Sequence, residues 1–148
     1  VRRTQLRNFT VKELWACGAK EVHIRPACPP WMFPCKYCLS IRTTEELIAR
    51  KAIKAMEGRD VKDVSAYLDH NSPRYKKMVE WIARDMEVTT LRYQTIDDMV
   101  RAIGLPREKL CLHCWNGECP VFSKRPVKNA SQAPGRKKKT ASRRSPRE

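Results

Sequence analysis

The chain has 148 residues, of which 41% are hydrophobic, enough for one domain with a core. No run approaches the ~18 consecutive apolar residues of a membrane-spanning helix, so no such helix is expected. The net charge of +15 is concentrated at one end: residues 123–148 hold ten Lys or Arg and one acid, Glu148, which leaves the folded part only mildly basic.

Residues 4–17 read as a first helix, with Leu6, Phe9, Leu14 and Cys17 near one face and Gly18 as its stop. Glu21 to Arg25 alternates around Val22 and Ile24 and predicts a short strand. Pro26, Pro29 and Pro30 remove backbone donors, so the stretch after it is a loop leaving a strand end. Thr43 and Glu46 fit a capping box for a helix to about Glu57, with Ile48, Ala52, Ala55 and Met56 inward and Gly58 ending it. Asp60 and Asp63 can start a short helix through Leu68. Ser72, with Pro73 at the first helical position, opens a helix whose inner face is Tyr75, Met78, Val79, Ile82 and Met86. Residues 88–93 read as a second short strand. Thr95 and Asp98 open a further helix with Ile96, Met99, Val100 and Ile103 inward, closed by Gly104 and Pro106. From Ser123 onward almost nothing is apolar, so 123–148 reads as a disordered basic tail, and 1–122 as the folded part. Arg136-Lys137-Lys138-Lys139 in that tail can contact phosphates only nonspecifically, because no aromatic residue is interleaved for stacking.

Seven cysteines are present, four of them in two short pairs: Cys35 with Cys38, and Cys111 with Cys114. Two-residue spacing lets two thiolates turn onto one metal centre, as in zinc and iron–sulfur sites. No secretory signal is in view, so the cysteines read as reduced thiols or metal ligands rather than disulfides. Cys119, five residues after Cys114, is a further possible thiolate donor. Cys17 and Cys28 read as buried small hydrophobes, His23 as a packed strand residue, and His113 as pointing to solvent.

Several of these segments together resemble the C-terminal part of the amidophosphoribosyltransferase family. The resemblance runs from Val1 to about Phe122. It rests on Gly18-Ala19-Lys20-Glu21-Val22-His23-Ile24-Arg25, on Ala27-Cys28-Pro29-Pro30, and on Pro34-Cys35-Lys36-Tyr37. It continues through Glu45-Glu46-Leu47-Ile48-Ala49 and Asp97-Asp98-Met99-Val100-Arg101-Ala102-Ile103-Gly104, and ends on Leu110-Cys111-Leu112-His113-Cys114-Trp115.

The resemblance implies an α/β fold: the C-terminal part of a phosphoribosyltransferase-type domain, mostly helical over this stretch. It implies a parent enzyme, cytoplasmic and homo-oligomeric, that makes 5-phosphoribosylamine from phosphoribosyl pyrophosphate and glutamine at the start of purine synthesis. Val1-Arg2-Arg3-Thr4 then corresponds to the end of the substrate's phosphate-binding loop, with Arg3 where the family has Gly. The Mg ion that accompanies phosphoribosyl pyrophosphate would take its ligands from outside this chain. The family's glutaminase cysteine and the loop's acidic pair have no counterpart here, so a truncated chain with no catalytic residue, inactive alone, is expected. The family's [4Fe–4S] cluster would take Cys35, Cys111 and Cys114 as ligands, with Cys38 as a candidate fourth thiolate. A different reading remains open: a zinc-binding nucleic-acid module with a Cys₄ site at Cys35, Cys38, Cys111 and Cys114 and the basic tail as a phosphate grip.

Overall fold

A computed structural model of the chain describes residues 6–37, 41 and 43–119. The phosphate-loop remnant at Arg2, Arg3 and Thr4, the candidate ligand Cys38 and the whole basic tail lie outside the described residues.

The described part is helical around a two-stranded parallel sheet. A wide turn over Leu6–Val11 leads into helix α1 (Lys12–Ala16). Strand β1 (His23–Ile24) follows, then helices α2 (Ile48–Glu57) and α3 (Pro73–Asp85), strand β2 (Thr90–Leu91), helix α4 (Ile96–Ile103) and the four-residue helix α5 (His113–Asn116). β1 and β2 pair in parallel with His23 opposite Thr90 and Ile24 opposite Leu91. The ladder is framed by Thr89 N–H to the Val22 carbonyl (2.9 Å) and Arg92 N–H to the Ile24 carbonyl (3.1 Å). Parallel strands need a long crossover, here occupied by α2 and α3. This makes the folded part α/β, with helix predominant.

The core lies where α2 and α3 pack together and against β2. Ala49 and Ala52 of α2 are fully buried, and such small side chains let helix backbones approach closely. Met78 and Ile82 of α3, with Met32, Ile53, Tyr67 and Leu91, fill the same cluster. The predicted inner face of α3 is correct: Met78, Ile82 and Met86 are buried, with Tyr75 and Val79 half-buried against the core. Its start is also as expected. Ser72 Oγ accepts the Tyr75 amide at 3.1 Å, satisfying a donor that a helix N-terminus leaves open. α4 begins the same way, with Thr95 Oγ1 accepting from the Asp98 amide (3.1 Å) and donating to the Asp98 carboxylate (2.7 Å).

Four helical expectations fail in whole or in part. The first helix is not one regular α-helix. Its opening turn is wound with one residue too many, which shifts the phase of the inner face. Val11 is buried instead, while Phe9, Leu14 and Cys17 are exposed. The capping box at Thr43 does not open a continuous helix: Thr44–Glu46 form a tight turn, Leu47 is extended and buried, and the α-helix restarts at Ile48. Ala55 is consequently exposed, and Ala49 and Ile53 point inward. In α4, Met99 is buried but Ile103 is half exposed. The expected short helix before Leu68 is a single tight turn, Ser65–Tyr67, entered through Asp63, whose carboxylate accepts the Ser65 amide at 2.9 Å.

The N-terminal segment is tied to the end of α3 at one residue. Glu87 sits at φ 57°, and its carbonyl accepts from the Trp15 indole at 2.9 Å while its carboxylate pairs with Arg7 at 3.0 Å. Among the described residues no helix is long and apolar enough to cross a membrane.

Candidate metal centre

The second cysteine pair sits on a turn closed by its own backbone. The Leu112 amide donates to the Glu118 carbonyl (3.0 Å), drawing the two ends of the turn together. Inside it, the amides of Trp115 and Asn116 donate to the Leu112 carbonyl and that of Gly117 to His113. His113 does not point freely to solvent. Its Nδ1 lies 3.0 Å from the Gly117 carbonyl, an acceptor only, so Nδ1 carries the proton, and its ring packs on Phe33 with centroids 5.8 Å apart. Arg107 bridges Asp97 of α4 (3.0 Å) and Glu118 (3.3 Å), fixing the turn to the helix before it.

The loop carrying Cys35 lies against this turn. The Cys114 carbonyl accepts two amides from that loop, Met32 at 2.8 Å and Phe33 at 3.1 Å. Met32 is itself buried in the α2–α3 core, so the turn is joined by backbone hydrogen bonds to the hydrophobic core. The Phe33 ring covers Gly117, and a methyl group there would stand 3.6 Å from it.

Within this junction the thiol of Cys111, an exposed residue, faces the buried Cys119. The Cys111 thiol donates to Cys119 Sγ at 3.4 Å, and Cys119 is buried. Burial pushes the Cys111 thiol above its usual value; the His113 amide acts the other way, and Cys119 and Cys35 add to the rise. The loop that carries Cys35 and the turn that carries Cys111 meet through the backbone hydrogen bonds of Met32 and Phe33 to Cys114, although Cys35 and Cys111 stand 76 positions apart in the chain. Thus the two segments that carry Cys35, Cys111 and Cys114 meet at one junction. Among the described residues, however, no three His, Cys, Asp or Glu side chains converge as a metal-binding group. The donor chemistry suits iron–sulfur iron, since all three side chains are thiols. Binding would require Cys111 to turn away from Cys119.

The remaining candidates separate from this junction. Cys17 is exposed and Cys28 half-buried, so Cys17 is not the buried small hydrophobe expected of it. His23 is exposed rather than packed, with Nδ1 2.8 Å from Thr90 Oγ1 and Nε2 2.9 Å from the Glu21 carboxylate. Behind the junction a cleft of about 180 Å³ runs between Met32, Tyr67, Tyr75, Thr95, Arg107 and Trp115. The Trp115 indole nitrogen is buried with no acceptor among the described residues. The thiol contact of Cys119 was not legible from pair spacing, because Cys119 stands outside both two-residue pairs; only its nearness to Cys114 pointed to it.

No protein-family model matches the chain. Similar proteins are found among enzymes. The amidophosphoribosyltransferase of Staphylococcus aureus (strain Mu50) is 33% identical over 125 residues, covering 82% of this chain and 20% of that protein. That of Methanocaldococcus jannaschii is 32% identical over 121 residues, again 82% and 20%. That of Methanothermobacter thermautotrophicus is 31% identical over 104 residues, 70% and 17%. The chain spans about a fifth of the length of these curated relatives. By this similarity the chain belongs to the amidophosphoribosyltransferase family, as the homologue of one stretch of its members.

Proposed function

We propose that the chain is the C-terminal part of the transferase domain of an enzyme that forms 5-phosphoribosylamine from phosphoribosyl pyrophosphate and glutamine in purine synthesis. The observation that carries this reading is similarity to three such enzymes over 70–82% of the chain but only 17–20% of theirs. No residue of this chain is assigned a catalytic step. Arg2, Arg3 and Thr4 are assigned to the end of the phosphate-binding loop.

Cys35, Cys111 and Cys114 would hold a [4Fe–4S] cluster, with Cys38 or a residue outside the chain completing the set. Such a cluster would supply cross-linking of distant segments rather than substrate chemistry, and its binding energy is folding energy. The chain's own contribution is the backbone clasp of Cys114 on Met32 and Phe33, which supports ligands from both segments.

Two experiments test the reading. The DNA upstream of Val1 is expected to encode, in frame, two acidic residues followed by Ser and Ile; a different reading frame there overturns the assignment. Anaerobic iron–sulfide reconstitution is expected to give broad visible absorption that Cys111→Ser abolishes and Cys17→Ser retains. Equal spectra from both variants would overturn the ligand set.

A further inference from the structure

Cys111 and Cys119 differ in access but touch. Cys111 is exposed as a residue, Cys119 is 6% exposed, and their sulfurs are 3.4 Å apart. The backbone brings their neighbours together as well, through the Leu112 amide and the Glu118 carbonyl at 3.0 Å. A disulfide needs its two Cα atoms within about 7 Å and its thiols facing. Here the thiols already face, and the chain between them is a closed turn that supports the ends from within.

We propose that Cys111 and Cys119 form a site of intramolecular disulfide formation, in which Cys111 meets the oxidant and Cys119 resolves the adduct. The oxidant is a small-molecule disulfide such as glutathione disulfide. Cys111 loses its proton to solvent, and its thiolate attacks one sulfur of glutathione disulfide. A protein–glutathione disulfide forms and one glutathione thiolate leaves. Cys119 then loses its proton and attacks Cys111 Sγ. The Cys111–Cys119 bond forms and the second glutathione leaves. The two protein thiols give up two electrons and two protons, and one glutathione disulfide becomes two glutathiones. Burial keeps Cys119 from reacting directly with the bulky oxidant, so the order of events is set by exposure.

The disulfide withdraws Cys111 from any metal. A protein oxidised at this pair and a protein ligated through Cys111 are therefore mutually exclusive states. The disulfide itself does not depend on the metal reading, and its test uses neither iron nor enzymatic activity.

The experiment incubates the full, metal-free chain in buffers of increasing glutathione disulfide over glutathione, blocks remaining thiols, and cleaves after Glu118 with a Glu-specific protease. That cut separates Cys119 from Cys111 and Cys114. The expected product is a peptide pair joined through Cys119 and Cys111, formed equally in Cys114→Ser and absent in Cys111→Ser. In Cys119→Ser the reaction should stop at a glutathione adduct on Cys111. Joining of Cys119 to Cys114 or Cys35 instead, or stable glutathione adducts on the unaltered chain with no internal bond, overturns the proposal. In the unaltered chain, fragmentation of the 109–118 peptide by tandem mass spectrometry shows which of Cys111 and Cys114 carries the blocking group, so the answer stands even if a variant folds poorly.

Discussion

Arg50 holds Val61 across the end of α2: its guanidinium Nη2 donates to the Val61 carbonyl at 2.6 Å and to the Asp60 carboxylate at 3.0 Å, from a side chain 8% exposed. Gly58 makes this reach possible. It sits at φ 70°, a left-handed conformation that reverses the chain directly after the helix. Arg50→Met keeps the apolar stem but leaves the carbonyl without its donor. It should destabilise the chain by about 1–3 kcal/mol in urea unfolding. Asp60→Asn should cost less than about 1 kcal/mol, because Asp60 is mostly exposed. Equal losses from the two would show that the charge pair, not the carbonyl bond, carries the effect.

Ile82 and Ile103 are the same residue type in opposite settings. Ile82→Ala empties a site in the α2–α3 core and should lower stability by about 2–5 kcal/mol. Ile103→Ala removes a half-exposed side chain and should change stability by about 0.5 kcal/mol or less. A comparable loss at both positions in thermal unfolding would contradict the packing described for α4.

These contrasts also mark what the sequence revealed. Signals that act within one turn were legible: the Ser72–Pro73 start, the reciprocal Thr95–Asp98 cap, and the stops at Gly58 and Gly104. The burial of Val11 was not, because an extra residue in the preceding turn changes the helical phase without any proline or glycine to announce it. Arg50 was missed because its main partner is a backbone carbonyl, which carries no sequence signature. His23 was misjudged because its partner, Thr90, is 67 residues away and is placed by strand pairing. At the candidate centre, the resemblance supplied Cys35, Cys111 and Cys114, and the fold brings their segments together. The contact of Cys111 with Cys119 depends on how the turn closes, which spacing alone does not encode.

Gly117 stands at φ 86°, under the Phe33 ring. Gly117→Ala would put its methyl at an ordinary contact distance of 3.6 Å, so crowding is not the issue. The cost comes from the backbone: holding an L-residue left-handed costs about 1–2 kcal/mol. The expected result is a loss of that size in denaturant unfolding, with faster hydrogen exchange at the Met32 and Phe33 amides that bind the Cys114 carbonyl. Unchanged exchange at both amides would mean that the turn and the loop are not coupled.

Alkaline pH should unfold the chain cooperatively. Tyr93, Tyr75 and Tyr67 all have hydroxyls held above the usual tyrosine value of 10.0. Burial is the first cause for each, joined at Tyr93 by the nearby Tyr75 and Cys28, and at Tyr67 by the hydrogen bond to Glu57. A raised folded pKa favours the protonated form in the native state. The stability it accompanies is complete below pH 10 and falls as pH climbs toward the folded values, because the unfolded tyrosines ionise first. Tyrosinate absorbance near 295 nm should therefore rise together with loss of helical circular dichroism. Ionisation of these three with the helices intact would contradict the burial.

The parallel ladder of β1 and β2 has a kinetic consequence. His23 and Thr90 are 67 residues apart, and closing a flexible loop of that length costs about 4 kcal/mol of chain entropy before any rung is made. Two short strands cannot recover that by themselves. The helical hairpin of α2 and α3 must shorten the effective path first, so the ladder zips late and acts as a latch on an already collapsed hairpin. In pulse-labelling during refolding, the α2 and α3 amides should gain protection before those of Thr89 and Arg92. In native exchange the same two amides should open ahead of the hairpin.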